Sequence, residues 1–404
     1  MAASRTRTVN TSLVMREIWV SHKTSRIEVA RAVGLDKSTV SAIVNDLLSL
    51  GVIVESDEGP AGPSGGRRPV NVTLNPRYGA VLGLELRPGR YAAVGVDLTG
   101  KIVFSHAETI DAVGGDLAEL LGGVVDDLEA RLSEYGLPLL GVGVGLSGVV
   151  NPDDGIVVHS IPLNLMDELP LASRMMGHIA VPFFVENDAN ACAWGELAFH
   201  RQRGLRDMVF VLVELNDVEP GQPPVERIAV GLGLVIDGRV HHGYRYSAGE
   251  FRSLYREPAS KGQFSLSTAD AALIESDHST RERFLTELAQ HVALFVNTFN
   301  LSHVFVGGDI EKIEGAPEAF RGALLREIAA NWPYPDDASC EIAFSSMQDK
   351  AVAYGAAGMV LERVFSDLDL VSGIMESGKR NEQMVYAWPN HSAGSDEEPS
   401  PARG

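Results

Sequence analysis

Apolar positions recur at helical spacing through the first fifty residues, in segments separated by glycine. Residues 11–19 (TSLVMREIW) predict an amphipathic helix that turns three large side chains towards a core, namely Leu13, Ile18 and Trp19. The next segment, 25–34, begins with a capping-box pair and ends at a glycine. In the third, 35–51, apolar residues return at i, i+3, i+4 and i+7. Helix, short glycine turn and helix is the pattern of a helix-turn-helix.

The third helix has small and basic residues on its polar face. The outward positions near its start are Lys37, Ser38, Thr39 and Ser41. A helix in the major groove of DNA needs such side chains, because hydroxyls bond phosphates or base edges and lysine pairs with phosphate. We therefore predict that these four residues contact double-stranded DNA. The pattern leaves a three-helix protein-interaction module open as the alternative.

Two segments of alternating polarity follow, residues 52–59 and 67–75, joined by a tract rich in glycine and proline. They predict a β-hairpin, the wing of a winged helix-turn-helix. Its tip carries Arg67 and Arg68 after two glycines, and arginine is favoured electrostatically in a narrow minor groove. We predict that both arginines contact DNA. An ordinary interdomain linker is the alternative.

From residue 81 the pattern changes to strands that alternate with helices. Residues 81–110 predict three strands, followed by a helix and a buried strand that runs into the glycine loop 141–148. Residues 208–308 repeat this order of three strands, helix and strand. The repetition indicates a duplicated α/β domain with a cleft between two lobes. The tail from Pro389 is rich in Ser, Pro, Gly and acid, which predicts disorder.

Composition narrows the class of protein. A chain of 404 residues with 45% hydrophobic content can form two or three cores. The two cysteines, Cys192 and Cys340, form neither a disulfide framework nor a zinc finger, so we expect a reducing cytoplasm. No apolar run reaches the ~18–20 residues of a membrane helix, so we expect no membrane partner.

The charge is distributed unevenly along the chain. The net charge is −20, but residues 1–77 carry 10 Lys and Arg against 7 Asp and Glu, whereas residues 78–404 carry 24 against 47. Phosphate would repel the acidic body. Only the N-terminal module is therefore expected to contact DNA.

A polar cluster ends the apolar run before residue 186. The stretch ENDANACAWGE places Asp188 between Asn187 and Asn190. A carboxylate forms charge-assisted hydrogen bonds to hydroxyls, and an amide donates and accepts beside it. Asn187 and Asp188 could also cap the helix that follows, and the two roles are compatible. We predict a site for a polyhydroxy ligand here.

The motifs of the body resemble the repressor, open reading frame, kinase (ROK) family of sugar-responsive regulators and sugar kinases. The resemblance covers about residues 10–365 and rests on ENDANACAWGE, GVGVGLSGVVNPDDG, SAGEF, FVGGDI and AVAYGAAGMV. It implies an α/β protein, in which a winged helix-turn-helix precedes a duplicated actin-like (ribonuclease H-like) two-lobed ATPase or sugar-kinase fold. We expect a DNA-binding domain at 1–77, an effector-binding and oligomerisation domain at 78–374, and a disordered tail at 375–404.

The same resemblance assigns roles in the cleft. It makes Asp188 the carboxylate that accepts a proton from the sugar hydroxyl in the kinases, and Glu250 a sugar-binding glutamate. Asn164, in IPLNL, matches a further hydroxyl contact. The effector-binding residues expected in this chain are therefore Asn164, Asn187, Asp188 and Glu250.

One departure from the family pattern argues against catalysis. The family kinases carry Asp-x-Gly-x-Thr, a turn whose amides hold phosphates. This chain has ELRPG at 85–89, where Arg87 replaces the glycine and Pro88 has no N–H to donate. We therefore expect no catalytic residue and no nucleotide cofactor.

A second departure argues against metal. Ser253 stands at the position of the family's zinc-binding histidine, and the loop 250–267 contains no cysteine. We expect no metal site, and a loop that is fixed by packing through Tyr255 and Phe264.

These observations predict a transcriptional repressor of carbohydrate metabolism or transport genes. Its expected partners are double-stranded operator DNA, a carbohydrate effector and a second copy of the chain, in a homodimer or homotetramer. One alternative is a sugar kinase with an appended DNA-binding domain. Another is a regulator controlled by a protein partner or a phosphosugar.

Overall fold

The structure of the protein is a computed structural model. The residues that this structure describes are 2–58, 70–110, 116–200, 204–216, 226–260, 262–334 and 339–366. Arg67, Arg68 and the tail 375–404 lie outside these residues, so their predicted roles stay predictions.

The N-terminal head, defined here as residues 2–58 and 70–77, contains three helices and a small sheet. The helices are α1 (Ala2–Ser21), α2 (Arg26–Val33) and α3 (Lys37–Ser49). The strands are β1 (Thr24–Ser25), β2 (Ile53–Glu58) and β3 (Val70–Leu74), in the order β1-β3-β2. The antiparallel pair β2–β3 is the predicted hairpin, and β1 adds a strand that the pattern did not predict.

Local signals set the boundaries of the head's helices. Ser25 and Glu28 form the predicted capping box, and Gly34 ends α2 with a left-handed φ of 68°. The prediction for α1 was wrong at Leu13, which is 41% exposed. Val14 and Met15 are buried instead, because α1 is longer than predicted and its inner face is rotated.

The body begins with lobe 1, residues 80–199. Its strands are β4 (Ala80–Arg87), β5 (Arg90–Asp97), β6 (Ile102–Thr109), β7 (Leu139–Leu146), β8 (Val149–Asn151), β9 (Ile156–His159) and β10 (Phe183–Asn187). Its helices are α4 (Leu117–Glu134), α5 (Leu171–Met175) and α6 (Asp188–Phe199). The main sheet has the order β10-β7-β4-β5-β6, with β4, β7 and β10 parallel.

Lobe 2, residues 204–344, repeats this plan. Its strands are β11 (Met208–Leu215), β12 (Ile228–Ile236), β13 (Arg239–Val240), β14 (His303–Gly308) and β15 (Glu341–Phe344). Its helices are α7 (Thr268–Ala271), α8 (His278–Phe299) and α9 (Ala316–Asn331). Its sheet has the order β13-β12-β11-β14-β15. Read from β13, neighbouring strands pair antiparallel twice and then parallel twice, as they do in lobe 1 when that sheet is read from β6. The predicted duplication is confirmed.

A last helix, α10 (Ala351–Ser366), packs against α6, and both are buried along nearly their whole length. Their backbones touch because glycine stands at the crossing. A Cβ on Gly355 would lie 1.9 Å from the carbonyl oxygen of Ala191, and one on Gly195 would lie 3.1 Å from the Cα of Gly355. No side chain fits between them, so the two helices form one tightly packed pair.

The head shares a hydrophobic core with this pair. One continuous cluster joins Met15, Ile18 and Trp19 of α1 to Val360 and Phe365 of α10. Across the same contact the Arg16 guanidinium lies 3.3 Å from the Glu362 carboxylate. The head is therefore packed on the body by side-chain contacts as well as connected to it by the chain.

Within the ranges that the structure describes, none of the helices combines the length and the apolar character needed to cross a membrane.

Candidate functional site

The predicted hydroxyl-binding carboxylate lies at the junction of β10 and α6. Asn187 is the N-cap of α6: its Oδ1 accepts from the Asn190 amide at 3.1 Å, while its Nδ2 donates to the Gly148 carbonyl at 3.0 Å. The capping role therefore belongs to Asn187. Asp188, the first helical residue, does not act as the cap.

Two donors hold the Asp188 side chain in place. The Ser147 hydroxyl donates to one carboxylate oxygen at 2.5 Å, and the residue's neighbouring amide, that of Ala189, donates to the other at 2.7 Å. Asp188 is buried. Burial raises its pKa, and the Ser147 and Ala189 hydrogen bonds and the charge of Arg87 oppose that rise. The result is an oriented carboxylate with lone pairs left for a ligand.

Glu186 ties the two lobes together beside this carboxylate. Its side chain is buried and accepts from the Trp194 indole and from the Nε2 of His242, which lies 2.8 Å away on the lobe 2 segment leading to Glu250. Burial is the largest influence on Glu186 and opposes its ionised form, but His242 and the hydrogen bonds from Asn187 and Asn190 together outweigh burial and lower the Glu186 pKa. Burial likewise opposes the His242 imidazolium, but Glu186 and Asp153 together outweigh it and raise the His242 pKa.

The remaining predicted effector residues are exposed. Glu250 is exposed as a residue, although protein atoms around its carboxyl raise its pKa and the charge of Asp188 raises it further. Glu250 and Asp188 are thus near enough to interact. Asn164 is exposed at φ 54° on a turn whose base, Ser160, donates to the Ser147 carbonyl at 2.5 Å. The turn that carries Asn164 is thereby linked to the residue that holds Asp188.

The loop that follows Glu250 is organised by the side chain of Gln263. Its Oε1 accepts from the Val230 amide at 2.8 Å, and its Nε2 donates to the Val230 carbonyl at 2.8 Å and to the Phe251 carbonyl at 3.0 Å. Its own carbonyl accepts from Ser253 at 2.9 Å. One glutamine therefore fastens this loop to β12.

Aromatic packing supplies the rest of the loop's order. Phe264 is 3% exposed and meets Phe251 edge-on, and Phe251 stacks on His291. Tyr255 is 58% exposed and touches only the edge of His291, so Phe264 carries the predicted packing and Tyr255 contributes little. In the parts of the chain described, no three His, Cys, Asp or Glu side chains are grouped to hold a metal ion. The donor set here does not fit a zinc site of the family type.

Arg87 lies between the lobes, where the family kinases have their phosphate turn. Its Nε lies 3.3 Å from Glu214, its Nη1 lies 3.9 Å from Glu85 and 3.7 Å from Asp309, and its Nη2 donates to Asn216 at 3.1 Å. Glu85 comes from lobe 1, and the other three partners come from lobe 2. A buried guanidinium thus joins the lobes through three carboxylates.

The single positive charge of Arg87 does not neutralise the three carboxylates around it. Burial raises the pKa of Glu85 to about 7 and that of Glu214 to about 8, although Arg87 opposes both rises. Asp309 has a lowered pKa because Lys312, the Leu215 amide and Arg87 outweigh its burial. A cavity of about 270 Å³ adjoins this group and is lined by five carboxylates and by the cations of Arg87, Arg90 and Lys312. A triphosphate would meet side chains of both charges here instead of a row of amides.

The predicted DNA-contacting residues of α3 lie on one accessible face. Lys37 and Ser38 are exposed, Thr39 and Ser41 are half-buried, and the opposite face packs into the head. Asp36 stands at the N-cap but makes no side-chain capping bond. The start of α3 therefore offers free hydroxyls and a lysine to a partner.

A pH dependence follows from the pair Glu186–His242. The raised pKa of His242 means that the pair stabilises the fold fully below the ordinary histidine value of 6.5 and is lost as pH rises through the raised value. We expect hydrogen–deuterium exchange of the segment 241–250, corrected for intrinsic rates, to accelerate as pH rises above 6.5. His242→Gln should remove this dependence, whereas the matched change His278→Gln on α8 should not. A pH-independent rate in the wild type would show that the pair does not hold the segment.

A second prediction concerns Gln263, whose side chain fixes the loop after Glu250. Gln263→Ala removes three hydrogen bonds that fix the loop, each worth about 1 kcal/mol net. We expect the free energy of unfolding to fall by about 2–3 kcal/mol and the segment 250–260 to become sensitive to protease. The control Gln290→Ala, on α8, should change either property little. An unaltered proteolysis pattern would mean that aromatic packing alone orders the loop.

The comparisons with known proteins bear on the whole arrangement. Residues 90–259 match the model of the ROK family. The chain is similar to the ROK family over these residues. The Xylose repressor of Bacillus subtilis (strain 168) is 25% identical over 395 residues, which cover 90% of this chain and 97% of that protein. The DNA-binding transcriptional repressor Mlc of Escherichia coli (strain K12) is 26% identical over 62% of this chain and 59% of its own length.

Solved structures agree on the fold of this chain. A ROK family transcriptional regulator, a homologue of the E. coli Mlc protein, covers 92% of this chain with a TM-score of 0.73 and 19% identity. A ROK family glucokinase from Streptomyces griseus, solved with glucose and AMPPNP, covers 70% with a TM-score of 0.54 and 19% identity. The predicted winged helix-turn-helix and actin-like body are confirmed.

Sequence reasoning missed four residues that build the site. Ser147, Glu186, His242 and Gln263 all contact a predicted residue or fix its loop. Glu186 had a visible signal, since it is an acid that directly follows an apolar run and lies two residues before the predicted carboxylate. His242 and Ser147 had none, because their partners are more than forty residues away in the chain.

Proposed function

We propose that this chain is a transcriptional repressor whose affinity for operator DNA is controlled by an aldose bound between the lobes. The observation that carries the proposal is the contrast between two parts of the cleft. Asp188 is held by two donors and oriented for hydroxyls, whereas Arg87 and three carboxylates stand at the turn that would hold phosphate. The cleft is thus suited to bind a sugar and unsuited to transfer phosphate to it.

The comparisons support this proposal over the kinase alternative. Two relatives that cover nearly the whole chain are named Xylose repressor. The glucokinase matches 70% of the chain, whereas the regulator structure matches 92%. We take D-xylose as the first probe for the effector because of the relatives' name.

The effector is proposed to lie against Asp188 and Glu250. Asn187 uses its oxygen and one N–H to cap α6 and fix Gly148, which leaves its second N–H for a hydroxyl. Asn164 would reach the effector from the lobe 1 turn. Carboxylates at both sides of the ligand allow the lobes to close on it.

DNA is proposed to bind the head in a two-fold dimer. Lys37, Ser38, Thr39 and Ser41 would enter the major groove, and the wing arginines would contact the minor groove or backbone. The proposed division is a DNA-binding domain at 1–77, an effector-binding domain at 78–374 and a tail at 375–404. Two heads would then read half-sites about one turn of DNA apart, ~34–36 Å.

Two measurements test this proposal. DNA fragments selected from the source genome should yield a near-palindromic duplex that the protein binds specifically. A coupled ADP-release assay over a panel of aldoses, including D-xylose and D-glucose, should show no turnover above a protein-free blank. Sugar-dependent ADP release at enzymatic rates, of order 1 per second or more, would favour the kinase alternative. Absence of any selected duplex would remove DNA as the partner.

A further inference from the structure

Helix α6 connects the proposed effector site to the head. Its first residue is Asp188 and its last is Phe199, and a helix of 12 residues spans about 18 Å. The Phe199 ring stacks on Tyr354 of α10 at a centroid distance of 3.9 Å and meets Trp19 of α1 edge-on at 6.2 Å. One helix therefore touches the carboxylate at one end and the head at the other.

Phe199 is half-buried, and the inner side of its ring is closely packed. A Cβ on Gly100 would lie 3.0 Å from the Phe199 ring, and one on Gly358 would lie 2.9 Å from it. Trp19 packs on Phe365 at 4.6 Å, and the Tyr354 hydroxyl donates to the Gly100 carbonyl at 2.7 Å. A shift of Phe199 towards these groups would therefore press on Trp19 and displace α1, because the inner side of the ring has no free space.

The other end of α6 is equally constrained. A Cβ on Gly233 of β12 would lie 2.2 Å from the Ala189 carbonyl, so lobe 2 touches the first turn of the helix. Closure of lobe 2 on a ligand at Asp188 would therefore push on α6. The close packing of α6 with α10 at Gly355 keeps the two helices together and prevents α6 from moving alone.

We propose that α6 and α10 move as one unit when the effector binds, and that Phe199 passes this movement to the head through Trp19. Phe199 is thus a positioning residue: it contacts neither effector nor DNA, but sets the orientation of the head relative to the cleft. This inference rests on the proposed function, because it names how the same site is regulated. It requires that the effector bind the two orientations with different affinities.

The main test uses Phe199→Leu, which keeps an apolar side chain but loses the aromatic stack. Its matched control is Phe299→Leu, at the 46%-exposed end of α8. The dissociation constant of the protein-selected duplex is measured by fluorescence anisotropy with and without saturating D-xylose, and D-xylose binding by calorimetry. We expect the affinity of Phe199→Leu for DNA alone and its affinity for D-xylose alone to stay within threefold of the wild type. The sugar-induced change in its DNA affinity should fall at least fivefold.

The outcomes separate the inference from the proposed function. A sugar response of Phe199→Leu equal to that of the wild type and of Phe299→Leu would overturn the inference and leave the proposed function intact. A wild type that binds the duplex but ignores every aldose of the panel would overturn the proposed effector instead. If Phe199→Leu does not fold, Phe199→Met gives the same test, because it also keeps an apolar side chain and loses the aromatic stack.

A second experiment tests the same inference without sugar. Ser147→Ala removes a donor to Asp188, and hydrogen–deuterium exchange then reports whether α1 responds. We expect the exchange rate of the residue 11–21 segment to change at least threefold, and the double variant with Phe199→Leu to lose this change. An exchange rate that is the same in Ser147→Ala and wild type would overturn the inference whatever the sugar result.

Discussion

Replacing Arg87 with alanine is expected to destabilise the protein by about 3–5 kcal/mol, the usual cost of removing one partner from a buried ion pair. The guanidinium is the shared counter-charge of Glu85, Glu214 and Asp309, and all three are buried. Without it, the carboxylates would face one another across the lobes. Urea unfolding followed by circular dichroism measures the loss.

The pH dependence of this loss has a definite sign. Glu85 and Glu214 have pKa values raised above the ordinary 4.5, so the folded state binds more protons and stability falls as pH rises from about 4.5 through 8. Arg87 limits this fall, so Arg87→Ala should lose more stability at pH 8 than at pH 6. Arg131→Ala, at an exposed position of α4 outside the acidic group, should cost under about 0.5 kcal/mol. Equal effects of the two variants would refute the interlobe role of Arg87.

Ser41→Glu is expected to weaken operator binding about 100-fold, which corresponds to ~2.7 kcal/mol. Ser41 lies on the accessible face of α3, one turn after Lys37. A carboxylate there would face the phosphates and base edges of the groove. The phosphates would repel it, and no cation would pair with it. Anisotropy titrations with the selected duplex measure the change, at constant salt because affinity depends steeply on it.

Ser49→Glu provides the matched control for the groove face. It introduces the same charge at the exposed far end of α3, where the Ser49 hydroxyl bonds only the Asp46 carbonyl in the same helix. We expect its affinity to remain within about fivefold of the wild type, since the effect of a distant charge is screened over ~8–10 Å. If both variants bind the duplex equally, the start of α3 does not enter the groove.

Much of the fold was predictable because its signals are local. The capping box at Ser25 and Glu28, the glycine after α2 and the two repeats of three strands, helix and strand all appear in the structure where the pattern placed them. Leu13 was mispredicted because a short amphipathic window fixes the period of a helix better than its rotation. The full helix, Ala2–Ser21, places Val14 and Met15 inward.

The site was predictable only in part, because it is assembled from distant segments. Asp188 could be found from its motif, but its orientation depends on Ser147, and the segment leading to Glu250 depends on Glu186 and His242. These pairs carry no periodic signal. The shared core of α1 and α10 was missed for the same reason: apolar residues at both chain ends predict burial but not the partner. The sequence could show that Arg87 disrupts the phosphate turn, but not that it joins the lobes.

The proposed function requires that Asp188 bind the effector that releases the protein from DNA. The most direct measurement titrates D-xylose into the complex of the protein with its selected duplex, for the wild type, Asp188→Asn and the control Asp116→Asn. Asparagine keeps the shape of the side chain, and loss of a charged hydrogen-bonding group is worth about 1.5–3 kcal/mol. We expect the wild type and Asp116→Asn to release the duplex, while Asp188→Asn needs at least about tenfold more sugar and binds DNA normally without it. Release of the duplex by Asp188→Asn at the wild-type sugar concentration would show that Asp188 does not bind the effector.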